Sequence, residues 1–584
     1  MQPSSLWRWF SSMSGLSRIN HDILIVGGGL TGLRAAVGLC DRFNVGLVSK
    51  VYPTRSHSIA AQGGINAPLT NNPDSRDDSW EKHTFDTVKG SDYLADQDAA
   101  EMMCREAAPI VYEMEHWGCP FSRFPDGTIA QRPFGGAGYP RTCYSADITG
   151  HVLLNTLYER AVAKGVRIYP EWFVTSLCIE DGQCHGVVVL DIRTGELIPV
   201  RAGVTFFGTG GYGRVFQHST NALINTGSGI GMAYTAGVPL KDMEFVQFHP
   251  TCLIGTNILM TEGCRGEGAY LVNNKGERFM QRYAPTAMEL APRDIVSRCI
   301  QTEIDEGRGF EHPLGKYIQL DLRHLGEKKI QERLPGIRTI SIDFINIDPV
   351  HEPIPIMPAQ HYSMGGIDVD KRCASEVRGF YAGGECSCVS VHGANRLGGN
   401  SLLDTIVFGK LAAKAIDEDM EGGIPRAKEK PLLKLKDNVE ATLRKLASPG
   451  RERPALLQAE LSATMSEKVG IFRTREELEQ ALQKLLEIKR RYRDVGVSSS
   501  ARHMNYELTG AVELGYMIEV AHTIILGAIL RQESRGSHFR LDFNTRNDTD
   551  WLKHTIARMG PDGDPAISFK EVAITRYQPM ERKY

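Results

Sequence analysis

The pattern of apolar and polar positions becomes readable at His21-Asp22-Ile23-Leu24-Ile25-Val26, a short apolar run followed at once by Gly27-Gly28-Gly29-Leu30-Thr31-Gly32. An apolar run bounded by glycines predicts a buried strand, and the apolar periodicity over 33–43 predicts a helix. A second run, Val45-Gly46-Leu47-Val48, predicts the next strand. Residues 99–115 read as a helix, Thr149 as the cap of another, and 204–207 as a strand that ends in the glycine-rich turn 208–213. A strand and turn at 377–386 and a helix starting at Ser401 return to the same character. Beyond Pro425 the long, charged, periodic stretches 431–446 and 475–492 predict amphipathic helices. These elements describe an α/β chain with a Rossmann-like nucleotide-binding domain over 21–243 and 359–424, interrupted by an α+β capping domain over 244–358. A helical domain (425–540) and a small C-terminal domain (541–584) follow, and residues 1–20 form an extension.

The strand-turn-helix start is GxGxxG in the context that gives it meaning. Gly27 permits the tight turn, Gly29 lets backbone approach a pyrophosphate at a helix N-terminus, and Gly32 permits close helix-strand packing. After the second strand, where an acid would accept ribose hydroxyls, the chain has Ser49-Lys50. A hydroxyl and a cation suit contact with the nucleotide or its phosphates and give no support to NAD.

Composition narrows the classes. At 584 residues the chain exceeds one core, and a net charge of −3 leaves no basic footprint for nucleic acid. The 59 glycines cluster beside predicted strands, where loops approach a ligand closely. Twelve cysteines lie between Cys40 and Cys388 without a CxxC pair, so no zinc site or cysteine-ligated cluster is expected, only reduced, mostly buried thiols. No run of about 18 apolar residues is found; 23–40 is interrupted by glycines and Arg34, and 520–530 is too short. The first 20 residues, with Arg8, Arg18 and no acid, suit either an organellar presequence or a disordered extension.

The stretch Arg55-Ser56-His57-Ser58-Ile59-Ala60-Ala61-Gln62-Gly63-Gly64 is the most distinctive in the chain. A lone histidine is usually structural, but small side chains and permissive backbone after His57 suit a chain lying flat on a planar ring. Preceded by Lys50-Val51-Tyr52-Pro53, the stretch resembles the loop where succinate dehydrogenase and fumarate reductase flavoproteins attach FAD. The resemblance extends over about residues 20–584. It includes Ser145-Ala146-Asp147, Thr209-Gly210-Gly211, His249-Pro250-Thr251, Thr261-Glu262-Gly263-Cys264-Arg265, Pro292-Arg293-Asp294, His361-Tyr362-Ser363, Gly384-Glu385, and Arg396-Leu397-Gly398-Gly399-Asn400-Ser401-Leu402. One departure is Gly227-Ser228-Gly229, where the family usually has Gly-Asp-Gly.

The resemblance implies FAD bound covalently through His57, a tether expected to raise the flavin potential. Gly27, Gly29, Gly32, Ser49, Lys50, Ser56, Ser58, Gln62, Gly63, Gly64, Ala146, Asp147, Thr209, Gly210, Gly211, Ser228, Glu385, Asn400, Ser401 and Leu402 are the other expected cofactor contacts. For Asp147 a plain loop acid is nearly as good a reading. No metal ligands are implied. A dicarboxylate needs two separated donor groups, and arginine forks with directional histidine and threonine bonds supply them. Arg396 and His361 are expected at one carboxylate and His249 and Thr261 at the other, with Gln62 and Phe121 on the substrate wall, although an aromatic such as Phe121 is core more often than not. The family gives proton transfer to an arginine, which maps to Arg293. A guanidinium pKa above about 12 makes it an unusual base, so a relay through Glu262 and Arg265 is expected. Without the resemblance, Arg293 would read as a substrate clamp.

The implied activity is oxidation of succinate to fumarate, with electrons passing to an iron–sulfur subunit and then to quinone through membrane anchor subunits. The chain would sit peripherally on the cytoplasmic face of a prokaryotic membrane or on the matrix side of the mitochondrial inner membrane. The helical region suits either a docking surface or solvated helices. Gln62 leans towards succinate dehydrogenase, because the quinol-linked fumarate reductases tend to have Glu there. Leu320-Asp321-Leu322-Arg323-His324-Leu325-Gly326-Glu327-Lys328-Lys329 resembles the fumarate reductase branch. An L-aspartate oxidase would normally lack the attachment histidine. A non-catalytic nucleotide-binding or scaffolding protein would have no use for the clustered arginines and histidines.

Overall fold

The computed structural model describes residues 19–583, so most of the expected extension over 1–20 lies outside the described residues. The founding strand runs Ile19–Val26, pairs in parallel with Val45–Ser49 on one side and with Glu196–Phe207 on the other, and leads into helix Leu30–Leu39. Arg167–Pro170 and Phe380–Ala382 extend the parallel part of this seven-stranded sheet, and Gln183–Asp191 and Trp172–Glu180 add an antiparallel meander. Strand Phe380–Ala382 brings the chain back after the insertion, as the pattern at 377–386 predicts.

Gly27 (φ +114°) and Gly32 explain the tightness of the first turn. A Cβ on Gly27 would lie 2.1 Å from the Gly208 carbonyl oxygen, and one on Gly32 would lie 1.9 Å from that of Gly27. Only glycine admits this packing of turn on turn. Thr149 is the first residue of helix Thr149–Ala163, and its hydroxyl accepts the Ser145 N–H (3.1 Å). It therefore braces the preceding loop and does not cap the helix.

The insertion has its own core, formed by residues such as Leu271, Ile300, Ile318, Leu320 and Ile356, between strands Val246–Leu253, Ile354–Ser363, Gly315–Asp321 and Tyr270–Val272 and helix Arg293–Asp305. Pairing between Val246–Leu253 and Ile354–Ser363 slips twice, between Gln247 and Phe248 and between His249 and Cys252. Pro250, which has no N–H for the ladder, sits inside the second slip. Bulges re-aim side chains; here His249 lines the cavity and Gln247 lies buried against the arginines of its wall.

Helix Glu429–Leu446 packs on the main sheet, while Pro454–Lys468, Arg475–Arg491 and Tyr506–Leu530 pack on one another. The apolar run at 520–530, read as too short to span a membrane, continues further towards the N-terminus in the structure. It belongs to a 25-residue helix, long and apolar enough to cross a membrane. Two-thirds of its most apolar window is buried inside the protein, and it packs against four helices, Ser228–Thr235, Glu429–Leu446, Pro454–Lys468 and Arg475–Arg491, as a core element. The closing hairpin Lys553–Met559 and Pro565–Glu571 joins Leu240–Lys241, Gly366–Asp368 and Ser387–Cys388 in a five-stranded sheet, tying the last segment to the nucleotide-binding domain. All twelve cysteines are free and eleven are buried.

Candidate active site

A cavity of about 540 Å³ runs from the first glycine turn to the mouth of the inserted domain. Its long arm is made chiefly of backbone. Gly27, Gly29, Gly63, Gly64, Gly208, Thr209 and Gly210 line it, and helices Leu30–Leu39, Ser228–Thr235 and Asn400–Asp419 all begin at its wall. Three helix N-termini give a positive, amide-rich surface suited to phosphates and to a ring that becomes anionic on reduction. Ser228 opens the second of these helices and lines the wall. Lys50 reaches the wall and is held by Glu513 of the helical domain (2.5 Å), which also accepts the Thr226 hydroxyl (2.6 Å).

The buried atoms Ser56 Oγ, Gln62 Oε1 and Thr209 Oγ1 belong to wall residues and have no hydrogen-bond partner among the described residues. Orphaned polar atoms cost about 1–3 kcal/mol each when nothing meets them. With the glycine cradle and the three helix ends they fit an extended dinucleotide such as FAD. Glu385 accepts the Ser363 N–H (3.0 Å), and burial pushes its carboxyl up to about 7.

His57 sits midway along the wall in a short helical turn, His57–Ala60. Its Nδ1 accepts the Ala222 N–H (3.2 Å), and its Nε2 lies 3.4 Å from Asn221 Nδ2. Burial pushes its pKa down to about 4, which keeps the ring neutral. Nδ1 is thus occupied as an acceptor while the ring lines the cavity.

The short arm is built from charged side chains. Helix Arg293–Asp305 starts with Arg293, whose Nε and Nη2 both lie 2.7 Å from Glu262 Oε2. The other oxygen of Glu262 accepts the Gly135 N–H (2.6 Å) and stands 3.9 Å from Arg265 Nη2. Burial alone would raise Glu262, but Arg293 and Arg265 outweigh it and hold the carboxyl below its usual range. Arg265 itself is buried behind Glu262, away from the wall, and donates to the Glu289 carbonyl.

Arg396 lies over the Tyr362 ring (4.5 Å), with its Nε unpartnered among the described residues. Burial, and then the neighbouring Arg293, push it down to about 9. His249 and His361 meet edge to face at 4.8 Å. The first is held through Nδ1 by Thr251, with Nε2 unpartnered, and the second through Nδ1 by the Thr220 hydroxyl (2.8 Å). Burial and nearby guanidiniums lower both well below the ordinary histidine value. Thr261 is at the wall and accepts the Gly263 N–H, leaving its own proton to donate. At the wall two guanidiniums, Arg293 and Arg396, face one carboxylate, Glu262, and Arg265 adds its charge from behind, so the dry pocket is positive. Such a site suits a small anion with separated charges.

Several expected residues stand elsewhere. Phe121 is core. Asn400 is fully buried and bonds Asn66, His83 and Thr87, fastening its helix to the fold instead of facing the cavity. Gly211 makes room for Glu385, whose Oε1 would be 2.4 Å from a Cβ there. Ala146, at φ +41°, donates to Ser122 Oγ beside the wall, and Gly32 packs one layer behind it. Asp147 does reach the wall, where it accepts the Ile337 N–H of the inserted domain (2.9 Å). The remaining expected residues line the cavity.

Gln247 was missed by sequence reasoning. Its Oε1 accepts from Arg293 Nη1 (3.2 Å) and Arg396 Nη2 (2.9 Å), and its Nε2 donates to Asn395 Oδ1 and the Arg396 carbonyl. It spaces and orients the two guanidiniums. Its only signal is its place two residues before His249 in a strand interrupted by Pro250.

Residues 22–402 match the family described as FAD binding domain, and residues 458–584 match that described as Fumarate reductase flavoprotein C-term. The chain is 44% identical to the succinate dehydrogenase flavoprotein subunit of Coxiella burnetii, over 98% of this chain and 100% of that one. It is 42% identical to the fumarate reductase flavoprotein subunit of a Serratia species, over 97% of each. Among solved structures, a point variant of FrdA from Escherichia coli quinol fumarate reductase superposes with a TM-score of 0.94 at 40% identity, covering 97% of this chain and 99% of that one.

Proposed function

The chain belongs to the succinate dehydrogenase and fumarate reductase flavoprotein family, and we propose that it is the succinate dehydrogenase flavoprotein subunit, oxidising succinate to fumarate with FAD joined to His57 Nε2. The observation that carries this reading is the Arg293-Glu262-Arg265 file meeting Arg396, His249 and His361 at one end of the cavity. Arg396 and His361 take one carboxylate and His249 and Thr261 the other. This orients the central carbons and excludes water. FAD, when bound, accepts the hydride.

The proton from the neighbouring carbon goes to Arg293. A guanidinium becomes usable as an acceptor when a carboxylate bonded at 2.7 Å takes its proton onward. Glu262 passes the proton towards Arg265. Electrons leave to an iron–sulfur subunit and then to quinone through membrane anchors, which places the protein peripherally on the cytoplasmic face of a prokaryotic membrane or the matrix face of the mitochondrial inner membrane.

Gln62 at the wall supports the oxidative direction. The 320–329 stretch and the close superposition on a fumarate reductase favour the reverse reading enough to keep it as the second. The test is the ratio of succinate oxidation to fumarate reduction in the assembled complex, together with acid precipitation. Faster succinate oxidation, with yellow colour staying in the pellet, is the expected result. Dominant fumarate reduction would reverse the direction, and release of the flavin would remove the His57 bond.

A further inference from the structure

We infer that Arg582 and Asp294 are a positioning pair through which the C-terminal tail straps the inserted domain closed over the active site, an inference that rests on the dicarboxylate reading above. The tail is fastened to the nucleotide-binding domain along its length. Asp96 accepts the Ala573 N–H (2.7 Å), Gln97 Oε1 accepts from Arg576 and Tyr577 (2.8 Å each), and Gln97 Nε2 donates back to the Tyr577 carbonyl (2.7 Å). The Tyr577 hydroxyl donates to the Glu81 carbonyl (3.2 Å).

This course delivers Arg582 to the gap between the two domains. On one side its Nη1 donates to the Gly90 carbonyl (3.3 Å) and its Nε stands 3.6 Å from Asp92. On the other its Nη2 donates to Asp294 Oδ2 at 2.5 Å. Asp294 is the second residue of helix Arg293–Asp305, whose buried face of Val296, Cys299, Ile300 and Ile304 belongs to the core of the inserted domain. One guanidinium therefore spans both domains, one residue from Arg293.

A second leg runs parallel to the first. Arg298, one turn along, donates to Asp294 Oδ2 (3.2 Å) and to the Gly536 carbonyl (2.8 Å), and the Gly536 N–H donates to Asp92 Oδ2 (2.8 Å). The Asp294 side chain is 0% exposed and its second oxygen has no partner among the described residues. Moving the inserted domain outward would draw this buried carboxylate away from Arg582, a costly separation that favours the closed arrangement.

The strap acts on the population of the closed state and not on the chemistry inside it. When only the closed state binds tightly, apparent affinity falls in proportion to its population. In the assembled holoenzyme, R582A is expected to raise both KM for succinate and Ki for malonate about five- to tenfold, with kcat held within about twofold. R582K should recover part of the loss. D294N, which weakens the Arg298 leg as well, should be at least as severe as R582A, and the double variant should be no worse than D294N alone.

Limited proteolysis reads the strap without substrate. Cleavage within 253–356 should be faster in R582A than in wild type. Unchanged KM and Ki, or a lower Tm with KM unmoved, would overturn the strap even if succinate is oxidised normally. If wild type neither oxidises succinate nor binds malonate, the functional reading fails and the proteolysis comparison still decides the strap, equal rates rejecting it. Should R582A not assemble, R582Q is read the same way.

Discussion

The two arms of the cavity are built by opposite means. The long arm is backbone: glycines where a Cβ would strike a carbonyl at about 2 Å, and three helix N-termini whose amides need no side chain. The short arm is side chain, with two arginines, two histidines and a threonine brought from both domains and held at the wall by bonds to Gln247, Glu262, Thr220 and Thr251. A backbone cradle is specific for shape and tolerates little change. A side-chain clamp is specific for charge and is separable, so it can lose its chemistry while the cradle still holds its ligand.

That separation is broken most forcefully at Arg293. Arg293→Gln should lower kcat by about 10³- to 10⁴-fold, the size expected for loss of acid-base chemistry, while flavin content measured by absorbance stays at wild-type level. Flavin loss alongside activity would show that the two arms are not independent. The converse is Gly32→Val, which puts side-chain atoms into the Gly27 carbonyl. Expression should yield little folded, flavin-bearing protein, and normal flavin content would contradict the cradle.

A smaller effect is expected at Gln247. Gln247→Leu removes the acceptor shared by Arg293 and Arg396, leaving two buried donors unmet. KM for succinate should rise about tenfold, consistent with 1–3 kcal/mol for an unsatisfied buried group. The pH profile sharpens the same point. Arg396 is pushed down to about 9, so it carries its charge below that pH and loses it above. KM should therefore be flat near neutrality and rise about tenfold per unit beyond pH 9. His249 and His361, both lowered, should add no break between pH 6 and 8.

The smallest effect lies outside both arms. His554 is bonded to Asp242 (2.7 Å) and Asp96 (3.2 Å); burial opposes its charge, but the two carboxylates outweigh it and raise its pKa to about 9 from 6.5. A raised folded pKa means stability fully present below pH 6.5 and lost as pH rises through 9. The contribution is about 3 kcal/mol. Denaturant midpoints should fall over that window in wild type and not in His554→Gln.

The contrast also explains what the sequence made legible. The long arm follows from local grammar, because Gly27, Gly29 and the apolar run before them act within a few residues of one another. His57 stood out through its resemblance to the family's attachment loop, with the small residues that follow it as local support. The short arm was legible only through resemblance, since nothing in the spacing of His249, Arg293, His361 and Arg396 states that they meet. Phe121 and Asn400 show the same limit from the other side. An aromatic and an amide near a motif look like wall residues, yet packing takes one into the core and a buried hydrogen-bond network holds the other. Gln247 was hidden because its role is to separate two charges that only the folded chain brings together. Only the end of helix Tyr506–Leu530 was read as an apolar run, because its glycines and its buried Glu513 divide a stretch that tertiary packing joins.

The most direct test of the clamp is a titration of the purified holoprotein with malonate against acetate, followed by the flavin absorbance. A two-ended charge site predicts a saturable spectral change with malonate that is weakened about 100-fold or more in Arg396→Gln, and no comparable change with acetate. Equal responses to the two acids, or a malonate response unaltered by Arg396→Gln, would contradict it.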